Sequence, residues 1–348
     1  MIEEEIEMRY GRFLQEGGTI GFVAPAFACN IEPYRSGFDH AQEILKDKGY
    51  QMDIGPNAYE GSGVGISNTP QLCAQELNDY YCSGENDILI SCGGGEMMCE
   101  ILDHVDFDRI GQAEPKWFMG YSDNTNFTFL LATICDTASI YGPCAATFGM
   151  TPWYDNLKTA FDLLSGKTRE VHGYELWEKE SLKDEEHPCV PYHLTEKKIL
   201  TSYPAGQESY HMSGRLLGGC LDCLANLSGT IYDKVEEFNQ RYEEDGVIWF
   251  LEACDLNVLG IRRALWQLDH TGWFRRTRGF LIGRPYNGEP IMGLDAYDAV
   301  TEILKSYQVP IIMDVDLGHV PPAMPLVCGS YADVTVEGND IRIRMDYR

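Results

Sequence analysis

Positive charge is scarce in this sequence: 27 Lys and Arg stand against 54 Asp and Glu, a formal charge of -27 over 348 residues. A field of that sign repels phosphate backbones and anionic bilayers, which sets nucleic-acid and membrane partners aside. Long apolar runs are also missing, since no stretch reaches the roughly 18 residues of a membrane span. The opening MIEEEIEMRYGRF has neither the basic nor the apolar region of a signal peptide. The expectation is a cytoplasmic protein. Neither GxGxxG nor a P-loop motif occurs, and Gly61-Ser-Gly63-Val-Gly65 follows no clear strand, so nothing marks a nucleotide cofactor. Twelve cysteines are scattered along the chain, and Cys220/Cys223 is the sole CxxC. Without a second pair to complete four zinc ligands, reduced and mostly buried thiols are expected, with no metal.

What is present is a long run of strand and helix patterns. Hydrophobic residues make up 44% of the chain, enough at this length for two cores. TIGFV, the amphipathic FDHAQEILKDKGY and QMDI form a β-α-β opening. A helix from NTPQLCAQEL leads to a buried strand, Asp87 to Ser91, and a glycine turn; KWFMGYSDNTNFTFLLATIC repeats the order. Such alternation predicts an α/β fold with a flavodoxin-like parallel sheet, helices on both faces, and function gathered at the carboxyl ends of the strands. The first domain is expected over residues 1–165. Residues 166–212 lose the periodicity and read as a connecting excursion. Residues 213–348, with strands at DGVIWFLEA, GFLIG, PIIMDVD, ADVTVE and IRIRMD, read as a strand-rich α/β domain. The acidic runs EEEIE and KDEEH are solvated surface.

Three polar residues end apolar strands. Ser122 follows KWFMGY at a strand-to-helix turn, a place where a hydroxyl is exposed and a helix start faces a developing anion; an ordinary helix cap explains the same serine. His319 follows PIIMDVDLG on a proline-stiffened loop, as a base or as a satisfied loop histidine. Glu252 ends VIWFLE, where a carboxylate needs a partner: His319, or Arg262 or Arg263. Asp255 rivals it for orienting the histidine. A serine needs such a base, and the base such a holder. Gly93-Gly94-Gly95 after ILISC offers backbone amides for an oxyanion, with the Asp123 amide as second donor.

The elbow departs from the GxSxG of α/β-hydrolases, because Asn124 stands where the second glycine belongs. GYSDNT instead resembles the elbow of the LD-carboxypeptidases, serine peptidases that trim cytoplasmic muropeptides. TIGFVAPA, Gly93-Gly94, YGP at 141–143, GRLLGGCLDCLANLSGT, Leu251-Glu252 and GHVPPAMPLVCG resemble family blocks in family order across nearly the whole chain. The resemblance implies a cofactor-free amidase with Ser122 as nucleophile, Glu252 as orienting acid and His319 as base. It also implies Gly94 or Gly95 with Asp123 at the oxyanion, a cleft between two domains, and a homodimer. Cys220 departs from the Asn of the family's GGN pattern, and Gly95 from a larger residue.

The extra length and LWEKES around Trp177 resemble the microcin C self-immunity branch, whose members cleave the amide joining an aminoacyl group to a modified adenylate. There Trp177 would stack on a purine; otherwise it packs the excursion down. Muropeptide cleavage stands first, with Arg215 or Arg284 meeting the terminal carboxylate. Aminoacyl- or peptidyl-nucleotide cleavage stands second, and a silent binding module is the remote third.

Overall fold

The computed structural model describes residues 7–348, so most of the EEEIE run lies outside it. The first half runs β1 (Thr19–Val23), α1 (Tyr34–Asp47), β2 (Gln51–Ile54), α2 (Pro70–Cys82), β3 (Ile88–Ser91), α3 (Phe107–Gln112), β4 (Phe118–Gly120), α4 (Thr125–Cys135), β5 (Ser139–Tyr141) and α5 (Asp155–Leu164). Strands β3 and β4 are buried at every residue, as strands covered on both faces must be. Helix α1 turns Phe38, Ala41 and Leu45 to the core at helical spacing. Helix α2 starts where the Thr69 hydroxyl accepts the Leu72 amide ahead of Pro70.

The second half adds β6 (Glu170–His172), β7 (Leu176–Glu178), β8 (Leu194–Lys197), β9 (Thr201–Tyr203), β10 (Ser209–Cys220), α6 (Leu221–Leu227), α7 (Val235–Arg241), β11 (Val247–Glu252), α8 (Val258–His270), β12 (Thr277–Gly283), α9 (Ala296–Leu304), β13 (Ile311–Val315), β14 (Leu326–Cys328), β15 (Tyr331–Glu337) and β16 (Asp340–Asp346).

The chain forms a two-domain α/β structure. One sheet has the order β14-β5-β4-β3-β1-β2. Its five N-terminal strands are parallel in the flavodoxin-like order 2-1-3-4-5, and β14 adds antiparallel to β5 from the far end of the sequence. The other sheet runs β6-β16-β15-β10-β11-β12-β13-β9, with a parallel centre from β10 to β13. The excursion of residues 166–212 holds more order than its composition suggests: β6 and β9 edge the second sheet, while β7 and β8 form a separate hairpin.

Helix α4 is buried at ten of eleven residues because it lies between the two domains. Its Phe129 stacks on Trp273 with ring centroids 5.2 Å apart. That shared apolar layer fixes the carboxyl ends of both parallel sheets beside one another. No helix among the described residues is long and apolar enough to cross a membrane.

Candidate active site

Ser122 lies beyond the end of β4, with one residue between, and takes φ 63°, a left-handed backbone that non-glycine residues rarely adopt. Such strain is tolerated where surrounding packing holds it. Its hydroxyl accepts no helix-start amide among the described residues. Instead it lies 2.8 Å from Nε2 of His319. The other ring nitrogen, Nδ1, lies 2.8 Å from Oε2 of Glu252. The three residues picked from the sequence thus form one hydrogen-bonded line from serine to imidazole to carboxylate.

Glu252 ends β11 beside Cys220 of β10 and is 1% exposed. Its partners are His319 and the hydroxyl of Tyr141, which donates to Oε1 at 2.6 Å; Arg262, Arg263 and Asp255 play no part. The Asp255 amide is instead bound, with those of Cys254 and Leu256, by the carboxylate of Asp222 at 3.0–3.1 Å, which pins the chain leaving β11. Gly318 lets the histidine loop cross Glu252: at φ 84° a Cβ would sit 2.2 Å from Oε2, so a glycine is required.

The electrostatics favour an ion pair. Burial opposes ionisation of Glu252, but His319 and the hydrogen bonds from His319 and Tyr141 hold it below the usual carboxylate range. Burial likewise opposes the imidazolium, yet the Glu252 carboxylate, helped by Cys254, raises His319 above its ordinary value.

Gly94 abuts Ser122 so closely that a Cβ on the glycine would lie 3.1 Å from Cβ and 3.2 Å from Oγ of that serine. The amides of Gly94, Gly95 and Asp123 find no acceptor among the described residues. The Ser122 amide is already engaged, donating to the Tyr141 hydroxyl at 3.1 Å. The Asp123 side chain is structural. Burial pushes it up to about 6, and it accepts the Met98 amide at 2.8 Å and the Asn126 amide group at 2.9 Å, while the Asn124 amide group donates to the Gly93 carbonyl at 2.8 Å and ties the glycine turn to the elbow.

A cavity of about 840 Å³ opens beside His319, walled by Tyr34, Tyr121, Trp177, Tyr192 and Arg284. Trp177 stands on β7 with its indole N–H on the Lys197 carbonyl at 3.3 Å and the Arg284 guanidinium 5.3 Å from its ring centroid. Of the two arginines, Arg284 lines this space, its guanidinium paired with Asp316 and donating to the Asp314 carbonyl. Arg215 does not; it is committed to Asp245 at 2.9 Å and to the Gly329 carbonyl. All twelve cysteines are free thiols, and among the described residues no group of three or more His, Cys, Asp or Glu is placed to hold a metal.

Tyr141 was missed by the residue-level reading. A tyrosine in a buried strand reads as core, and only its place in the YGP block hinted at more. Asp222, between the two cysteines of CxxC, carries no sequence signal of its own beyond its place in the GRLLGGCLDCLANLSGT block.

A strained serine, a histidine and a buried carboxylate in hydrogen-bonded line, beside free backbone amides, define a serine-type hydrolase. Comparison with known proteins specifies the class. Residues 20–142 match the LD-carboxypeptidase N-terminal domain and residues 213–334 the LD-carboxypeptidase C-terminal domain, so the chain belongs to the LD-carboxypeptidase family of serine-type carboxypeptidases. It is 25% identical over 342 residues to the microcin C7 self-immunity protein of Escherichia coli, covering 96% of this chain and 95% of the relative. It is 24% identical over 329 residues to a protein of Streptomyces coelicolor named as a candidate carboxypeptidase, covering 93% and 92%. A solved structure of the microcin C7 self-immunity protein with adenosine monophosphate matches the fold with TM-score 0.79 at 22% identity, covering 97% of this chain and 98% of that one. A similar protein from Bacillus anthracis gives 0.80 at 20%, covering 97% and 99%.

Proposed function

We propose that this enzyme hydrolyses the amide joining an aminoacyl or peptidyl group to a nucleotide, through an acyl-enzyme on Ser122. The observation that carries the reading is the aromatic cavity beside His319, in which Trp177 offers an indole face wide enough for a base. The kinship with a self-immunity protein whose relatives bind adenosine monophosphate supports it.

The chemistry follows from the geometry. His319 accepts the hydroxyl proton at Nε2 as Ser122 Oγ attacks the carbonyl carbon, while Nδ1–H donates to Glu252 and keeps the ring in the required tautomer. Negative charge gathers on the carbonyl oxygen, where the amides of Gly94 or Gly95 and Asp123 donate to it. The tetrahedral intermediate collapses, the amine leaves with the proton held by His319, and the acyl group remains on Ser122. A water gives its proton to His319 as it attacks the ester carbon, and the second tetrahedral intermediate collapses to release the acid while His319 returns that proton to Ser122 Oγ. None of these steps uses a cofactor.

The second reading, cleavage of the terminal D-residue of a muropeptide, is supported by the family and by Arg284, whose guanidinium, paired with Asp316, is a cation in the cavity wall. Either way the enzyme acts in the cytoplasm as a homodimer, with the first domain ending near residue 165. Incubating the protein and its Ser122→Ala variant with an aminoacyl adenylate phosphoramidate, and separately with a muropeptide tetrapeptide, separates the readings by mass spectrometry. Cleavage of the nucleotide conjugate alone is expected; release of the terminal D-residue alone replaces the first reading with the second.

A further inference from the structure

Behind Trp177 the cavity wall is ionic. The Asp316 carboxylate is fully buried, accepts the Tyr174 amide at 2.7 Å, pairs with Arg284 and lies 3.6 Å from the Lys198 ammonium. Arg284 and Lys198 are buried as well. Taking three charges out of water is costly compared with apolar packing, so a cluster of this kind is kept for what it holds in place.

Each partner belongs to an element around the site. Tyr174 leads into β7 and Lys198 leaves β8, so together they close the hairpin that carries Trp177. Arg284 ends its other contact on the Asp314 carbonyl, with the indole face of Trp177 beside its guanidinium. Asp316 itself opens the loop that bears His319, three residues on. Its carbonyl accepts the Met324 amide at 2.7 Å, closing that loop, and the Pro321 carbonyl accepts the Glu178 amide of the hairpin at 2.8 Å.

We propose that Asp316 is a positioning residue that fixes the His319 loop and the Trp177 hairpin in one register, so that base and aromatic wall meet the two ends of a single substrate. The part given to the wall rests on the nucleotide reading; the mechanical link between Trp177 and His319 does not.

Asp316→Asn keeps the volume and removes the charge that holds Arg284 and Lys198. Two readouts need no turnover. Labelling of Ser122 by a fluorophosphonate, followed in rate and pH profile, reports on His319. Trp177 emission, taken as the difference between the variant and the same variant carrying Trp177→Phe, reports on the wall. The expected result is labelling slower by on the order of 10-fold or more, with a displaced pH limb, together with a shifted Trp177 emission in a protein that still melts cooperatively. Labelling with an unchanged rate and pH profile, or an unchanged Trp177 emission, overturns the positioning role. Arg284→Lys, which keeps the charge and loses the fork, gives the same two readouts if Asp316→Asn does not fold, and is expected to move both in the same direction. Binding of adenosine monophosphate to the parent is measured alongside. Its absence sinks the nucleotide reading while leaving both readouts interpretable.

Discussion

Tyr141 and Glu252 meet through a 2.6 Å hydrogen bond that joins the two large sheets of the molecule. The same hydroxyl accepts the Ser122 amide at 3.1 Å, so one tyrosine steadies both ends of the catalytic line. Removing it leaves a buried carboxylate oxygen and a backbone amide unpaired. Tyr141→Phe is expected to lower kcat/KM by about 10- to 100-fold, the equivalent of roughly 1.5–3 kcal/mol. Activity at the parental level in a folded variant would show that Glu252 needs no second partner.

The ion pair sets the pH dependence. His319 must be neutral to take the serine proton, and Glu252 holds it above its ordinary value, so kcat/KM of the parent is expected to rise towards alkaline pH. In Glu252→Gln the limb moves to lower pH, because the carboxylate that raised the ring is gone. The maximal rate falls by roughly 10³-fold or more, since nothing then holds the tautomer. A limb that stays in place in the variant contradicts the pairing.

Gly94 leaves little room for a side chain next to Ser122. Gly94→Ala places a Cβ 3.2 Å from Ser122 Oγ, and displacing either group disturbs the oxyanion amides. A loss of about 10²-fold in kcat with little change in Tm is expected. Equal loss in kcat and folded fraction would point to a purely structural glycine.

Asp222 binds three successive amides after Glu252. Asp222→Ala orphans them and is expected to destabilise the fold by about 1–3 kcal/mol, read as a lower denaturant midpoint. An unchanged midpoint would mean that water replaces the carboxylate at no cost.

The parts legible in the sequence were those that a strand end makes visible. Ser122, Glu252 and His319 each follow an apolar run, and a polar residue there has few structural reasons to exist. The parallel sheet was legible for the same reason, because β3 and β4 are short apolar runs, broken only by Ser91 at the end of β3. Tyr141 was hidden because burial of a tyrosine looks like packing, whatever its hydroxyl does. The hairpin of β7 and β8 was hidden because its strands are short and half-exposed, with no apolar alternation to read. Strand β14 has three residues and pairs with β5 more than half the sequence away, a contact that no local pattern encodes. The linkage through Asp316 was invisible for that reason too: its partners Tyr174, Lys198 and Arg284 come from three separate segments.

The most direct measurement is to quench the enzyme in acid during turnover of an aminoacyl adenylate phosphoramidate and weigh the peptide containing Ser122. The expected result is a mass increase equal to the acyl group on that peptide in the parent, absent in Ser122→Ala, with free nucleotide amine released in a matching burst. Turnover with no acyl adduct at any time, or undiminished turnover in Ser122→Ala, would contradict a covalent mechanism at Ser122.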